Sequence, residues 1–140
     1  MALSADTSLI QELGPMNAYL ILAATLIYEG AAVGLEAGSG QARGLVNGDL
    51  FLGFAESQAD NREDAVGGAL SVRVIQHGKV EVAISGLAAT DIGAAVYATA
   101  DDTFVLTSGS FVGYVSRFVS SGVGVIAYDA IMVQAASLGS

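Results

Sequence analysis

The sequence predicts an all-β fold of sandwich or barrel type, preceded by a non-globular N-terminal arm. Three observations carry that prediction. From Ala18 onward, short apolar stretches alternate with Gly, Asn and Asp breaks at intervals of roughly ten residues. The 18 glycines gather mainly at those breaks, where backbone of positive φ is needed. Hydrophobic residues make up 53% of the 140-residue chain and charged residues 14%, which is enough apolar material for one packed core.

The arm comes first. Residues 1–17 are polar and mixed and contain the only proline, Pro15. Leu9, Ile10 and Leu13 have helix-like spacing, so a short helical turn fits there. Two readings stay open for this segment: an arm that docks on a neighbour, and a terminus that frays. Burying Leu3, Leu9, Ile10, Leu13 and Met16 returns less than the backbone entropy of ordering the segment. The expectation is therefore that it orders by pairing with the strand edge of a partner.

The run AYLILAATLIY (18–28) is the most apolar stretch. It is about half of the ~20 residues a membrane-spanning helix needs, and it reads as buried strand. No Lys/Arg-rich start precedes an apolar stretch, so no secretory signal is visible. The expected strands are 20–28, 32–36, 50–56, 70–76, 80–85, 95–99, 103–107, 111–119 and 123–129. Thr90–Ile92 suggests one short turn capped by Thr90. Segments 37–48 and 57–69 read as the longer loops, the second holding the one dense charge cluster. Residues 18–130 form the expected domain and 131–140 a C-terminal tail.

Three hairpins are expected. SVRVIQ-HGK-VEVAI places a turn at His77-Gly78, and a loop of three residues is needed to bring Val72, Val74, Val80 and Val82 to one face, so a bulge or longer loop is predicted there. FVGYVSRFV-SSG-VGVIAYD turns through Ser120–Gly122, and Asp101-Asp102 forms a third tight turn.

Composition narrows function. Net charge is −9, and the five basic residues, Arg43, Arg62, Arg73, Lys79 and Arg117, are spread singly. Nucleic acid and anionic membranes both need clustered cations, so neither is an expected partner. With no cysteine there is no thiolate chemistry. His77 reads as a solvated turn residue. Asp60, Glu63 and Asp64 lack the alternating oxygen ligands of a calcium loop. Asp101 and Asp102 are adjacent, which suits a turn and not an acid/base pair. Gly38 to Gly44 is glycine-rich without dinucleotide-binding spacing. No catalytic residue, cofactor or metal site is expected, and the chain is not read as an enzyme.

Six phrases in order resemble the capsid decoration (cement) proteins of tailed bacteriophages. They are IYEGAAVGLEA (27–37), GDLFLGFAE (48–56), the DN loop with its glycines (60–68), SVRVIQHGKVEVAISG (71–86), TDIGAAVYATADDTFVLT (90–107) and FVGYVSRFVSSGVGVIAYDA (111–130). The resemblance implies a small β-barrel of β-tulip type that forms a homotrimer. It implies a place on the outer surface of the virion capsid at threefold and quasi-threefold positions, clamping major capsid proteins after the shell expands. It also implies that the N-terminal segment reaches onto the shell, so Leu3, Leu9, Ile10, Leu13, Pro15 and Met16 are the candidate contact residues. Two other classes stand beside it. One is a lectin-like or adhesin β-sandwich displayed on a particle, in which Tyr97, Tyr114 and Tyr128 read as half-buried strand residues. The other is a small barrel enzyme of the dUTPase or hydrolase sort, which needs a convergent acidic cluster with a metal.

Overall fold

Side-chain alternation decides where this chain becomes strand. Ser71–Ile75 alternates exposed and buried, with Val72 and Val74 inside and Arg73 outside. Leu50–Ala55 has no polar residue and is buried along almost its whole length, as a strand covered on both faces must be. The computed structural model describes residues 16–62 and 70–130 and is almost all β, with 61% in strands.

The strands are β1 (Met16–Leu20), β2 (Leu26–Ile27), β3 (Ala32–Glu36), β4 (Gln41–Gly44), β5 (Leu50–Ala55), β6 (Ala59–Asp60), β7 (Ser71–Ile75), β8 (His77–Ala83), β9 (Ala95–Ala100), β10 (Thr103–Val105), β11 (Ser110–Ser120) and β12 (Val123–Asp129). They pair antiparallel into a first sheet, β1-β7-β5-β3-β4, a second sheet, β10-β9-β11-β12-β8, and the small pair β2-β6. Each five-stranded sheet bends until its two edges touch at one point. In the first, Ile21 bridges to Ala42 and the Leu22 amide donates to the Ala42 carbonyl. In the second, Ile84 bridges to Phe104 and the Ser85 amide donates to the Phe104 carbonyl.

Two cores result. The first sheet wraps Ile21, Ile27, Val33, Leu52, Val72 and Val74. The larger core joins the sheets: Phe51 and Phe54 of β5 meet Phe104 and Tyr128 of the second sheet. Phe54 is the hub, with ring centroids 5.4 Å from Phe51, 4.8 Å from Tyr128 and 6.0 Å from Phe104. A bulge lets β5 serve both cores. Its register slips against β3 between Val33 and Gly34, so Phe51 and Phe54 face one core while Leu52 and Ala55 face the other. Gly53 lies at φ +132, and a Cβ there would sit 2.5 Å from the Ile75 carbonyl oxygen.

The expected strands 32–36 and 123–129 match, and the Asp101-Asp102 and Ser120–Gly122 hairpins are formed. Several expectations are corrected. The continuous strand 20–28 is broken at Ala23-Ala24, with Ala24 at φ +55. Asn61 holds that break: its side-chain amide donates to the Leu22 carbonyl and its backbone amide to the Thr25 carbonyl. The His77-Gly78 hairpin does not exist. β7 and β8 lie in different sheets, and Gln76 is the residue at which the chain crosses between them. Val72 and Val74 therefore enter one core, while Val80 and Val82 pack against the other. Loop 37–48 contains β4, and loop 57–69 contains β6. Thr90 lies within the 3-10 turn Ala89–Asp91 and does not cap it; the Asp91 carboxylate accepts from the Ala88 amide at 2.8 Å instead. Met16 and Asn17, grouped with the arm by composition, open β1.

Candidate functional site

Of the six candidate contact residues, Leu3, Leu9, Ile10, Leu13 and Pro15 lie outside the described residues. Met16 is half-buried and pairs in register with Ile75. The root of the arm is thus the start of an edge strand. β1 pairs with β7 along its length, while its chain meets β4 only just beyond it, at Ile21. The Tyr19 hydroxyl anchors that root by accepting from Gln76 Nε2 at 2.8 Å and from Asn17 Nδ2 at 3.2 Å. Gln76 is 5% exposed, and its backbone carbonyl accepts from the Ala130 amide at 2.7 Å. Met16 and Ala130, the first and last described residues, therefore meet neighbouring residues, Ile75 and Gln76.

Ionic chemistry is mostly internal. Arg43 pairs with Asp49 at 2.8 Å, Arg62 with Asp60 at 2.9 Å and Arg73 with Glu56 at 3.5 Å. The Arg62 guanidinium and backbone amide hold the Asp60 carboxyl below the usual carboxylate range. Glu63 and Asp64 lie outside the described residues. Among the described residues, no three acidic or histidine side chains converge as a metal site. His77 is an exposed strand residue opposite Asp129, not a turn tip.

Two surfaces stand out. The outer face of the second sheet is built in cross-strand rows. Val105, Tyr97 and Phe111 form one row, and Ala95, Tyr114, Ala127 and Lys79 the next. Arg117, Val125 and Glu81 form a third. Tyr97 and Phe111 meet edge to face at 5.9 Å, as do Phe111 and Tyr114 at 5.3 Å. The three tyrosines expected to be half-buried separate: Tyr128 is 7% exposed, Tyr114 is 55% exposed and Tyr97 lies between.

The second surface is a cleft of about 420 Å³ between the Tyr28–Ala31 turn and the β8 and β10 edges. Ala31, Val82 and Phe104 contribute apolar lining, and Glu29, Asp101 and Asp102 the charge. Burial, and then the neighbouring Asp102 charge, push the Asp101 carboxyl above its ordinary value. Neither surface was legible in the sequence. Bulges between Phe111 and Gly113 and between Val115 and Arg117 shift the alternation of β11, so which residues share its outer face cannot be counted off. Tyr114 within the otherwise apolar run 111–115 (FVGYV) was the one available signal.

Comparison with protein-family models, with curated proteins and with solved structures finds no match.

Proposed function

We propose that this chain is a virion structural protein. In this reading a homotrimer binds the outer surface of an expanded tailed-phage capsid at threefold and quasi-threefold positions and stabilises the shell by clamping major capsid proteins. The observation that carries the proposal is edge strand β1, which follows residues 1–15 in the sequence. Its Met16–Leu20 backbone is paired on one side only, by β7. A strand whose backbone is unpaired along one side and follows an apolar-bearing segment is what addition of a strand to a partner requires. The resemblance of six phrases, in order, to decoration proteins supports the same reading.

The charge balance supports it as well. A clamp works by surface complementarity and needs no reactive group. A net charge of −9 favours solubility before a shell exists and disfavours binding to packaged DNA. Three modest contacts on one trimer gain about 10²–10⁴ in effective affinity over one, so trimerisation and shell binding are coupled.

The lectin-like alternative draws on Tyr114, whose exposed ring could stack on a sugar. Its row neighbours are Ala95 and Ala127, which offer no hydrogen bond to a sugar hydroxyl. A glycan array tests that reading.

The proposal is tested by co-sedimenting the full chain with expanded and unexpanded empty capsids. Saturable binding to expanded shells alone is expected. Absence of binding to any expanded shell, or turnover of a small substrate, would overturn it.

A further inference from the structure

The two surfaces described above differ in charge: the cleft is acidic, while the outer face of the second sheet carries as many cations as carboxylates. Three of the five basic residues are held by carboxylates within the chain. The other two, Lys79 and Arg117, have no described carboxylate within ion-pair distance, and both lie on the outer face of the second sheet. They flank the aromatic cluster of Tyr97, Phe111 and Tyr114, where rows two and three of that face end or begin. Glu81 and Asp129 on the same face leave it locally balanced, while the chain as a whole stands at −9.

The cleft is the opposite case. Glu29, Asp101 and Asp102 share it with no basic residue in its lining. The adjacent Tyr28 ring is 59% exposed, although its neighbour Ile27 is fully buried. Carboxylates crowded beside an aromatic ring and an apolar floor favour a surface that brings cations without carboxylate partners of their own and aromatic area beside them.

We propose that these two surfaces bind each other in successive copies: the Tyr114 face of one copy, with Lys79 and Arg117, seats on the acidic cleft of the next. This rests on the self-association within the proposed function, not on the shell. Like-charged copies repel, so contact is favoured where cations of one meet the carboxylates of another. A symmetric contact between two Tyr114 faces would leave the acidic cleft of both copies unrelieved. The contact is therefore heterologous, and such contacts close into a ring when the rotation permits.

The test is native mass spectrometry and sedimentation equilibrium on the full chain. The wild type is expected as a closed ring. Lys79→Glu with Arg117→Glu should give monomer, as should Glu29→Lys with Asp102→Lys, each weakening self-association by about a hundredfold or more. All four positions are exposed, and unchanged circular dichroism and melting certify the fold of each variant. The two variants mixed should associate with each other, and a chain carrying all four substitutions should recover the wild-type mass. A monomeric wild type overturns the proposal. So does dissociation by the Lys79/Arg117 pair alone, which marks a symmetric contact, or a four-substitution chain that stays monomeric. A ring that ignores expanded shells sinks the decoration reading and leaves this one standing. Shell binding by a Lys79/Arg117 variant that remains oligomeric does the reverse.

Discussion

Arg43 holds Asp49 through two parallel contacts, Nη2 to Oδ1 at 2.8 Å and Nε to Oδ2 at 3.0 Å, and the pair lies over Gly34. Gly34 sits on β3 in register with Arg43 on one side and Phe51 on the other. Asp49 begins the return from edge strand β4 to β5 across that central strand. Its side chain is 7% exposed, and it also accepts from the Val46 amide at 3.0 Å. The ion pair thus fixes the path of the β4–β5 connection, and the lack of a side chain at residue 34 leaves room for it.

Asp49→Ala should destabilise the fold by about 2–3 kcal/mol, because it removes charge-assisted bonds and strands a half-buried guanidinium. Gly34→Ala should cost about 1–3 kcal/mol, since its Cβ would fall 2.6 Å from Asp49 Oδ2. Urea titration of both variants and the double variant checks the coupling. The double variant should cost less than the sum of the two single variants, as the crowding at residue 34 involves the side chain at residue 49.

Gly113 and Gly86 separate two reasons for glycine. A Cβ at Gly113 would run into the Ala127 carbonyl oxygen, which is backbone and cannot swing away. Gly86 lies at φ +77 with open space around it. Gly86→Ala should therefore cost only the left-handed strain of about 1–2 kcal/mol, whereas Gly113→Ala should cost more and distort the β11–β12 hairpin. Thermal melts rank the two, and amide exchange on β12 locates the damage.

Tyr19→Phe should cost about 1–3 kcal/mol, because the buried Gln76 amide loses its acceptor. Replacing both partners, Tyr19→Phe with Gln76→Leu, should cost less than Tyr19→Phe alone. Denaturant midpoints of the two variants decide the matter.

Glu36 caps the β3–β4 turn. The Ser39 hydroxyl first, and then the Gly38 amide, hold its carboxyl below the ordinary value of 4.5. A lowered carboxylate value means the turn gains its full stabilisation above the ordinary value and loses it as pH falls through the folded one. The Ser39 amide resonance should therefore titrate with a midpoint below 4.5, and Ser39→Ala should move that midpoint upward.

Much of the all-β pattern was legible because turn residues and alternation are local. The Asp101-Asp102 and Ser120–Gly122 turns sit where their residues place them, joining strands that are neighbours in the chain. The His77-Gly78 turn shows where such reasoning stops. Its flanking strands alternate as a hairpin would, yet Gly78 has φ +145 within β8 and pairs with Tyr128. Local alternation says which residues turn inward, but not which of two cores receives them. For the candidate contact set, the fold places Met16 alone, at the start of edge strand β1; Leu3, Leu9, Ile10, Leu13 and Pro15 lie outside the described residues.

Strand class, the Asp101-Asp102 and Ser120–Gly122 turns, acidity and the scarcity of cations were settled by the amino-acid sequence alone, since each depends on residue type and near neighbours. The assignment of β7 and β8 to different sheets, the double-faced burial of β5, and the meeting of Tyr97, Phe111 and Tyr114 on one face were decided only by tertiary structure. The physical reason is the same in each case. Bulges and crossovers change the phase of side chains through contacts with strands far away in sequence, and a one-residue shift of phase reverses every face that follows.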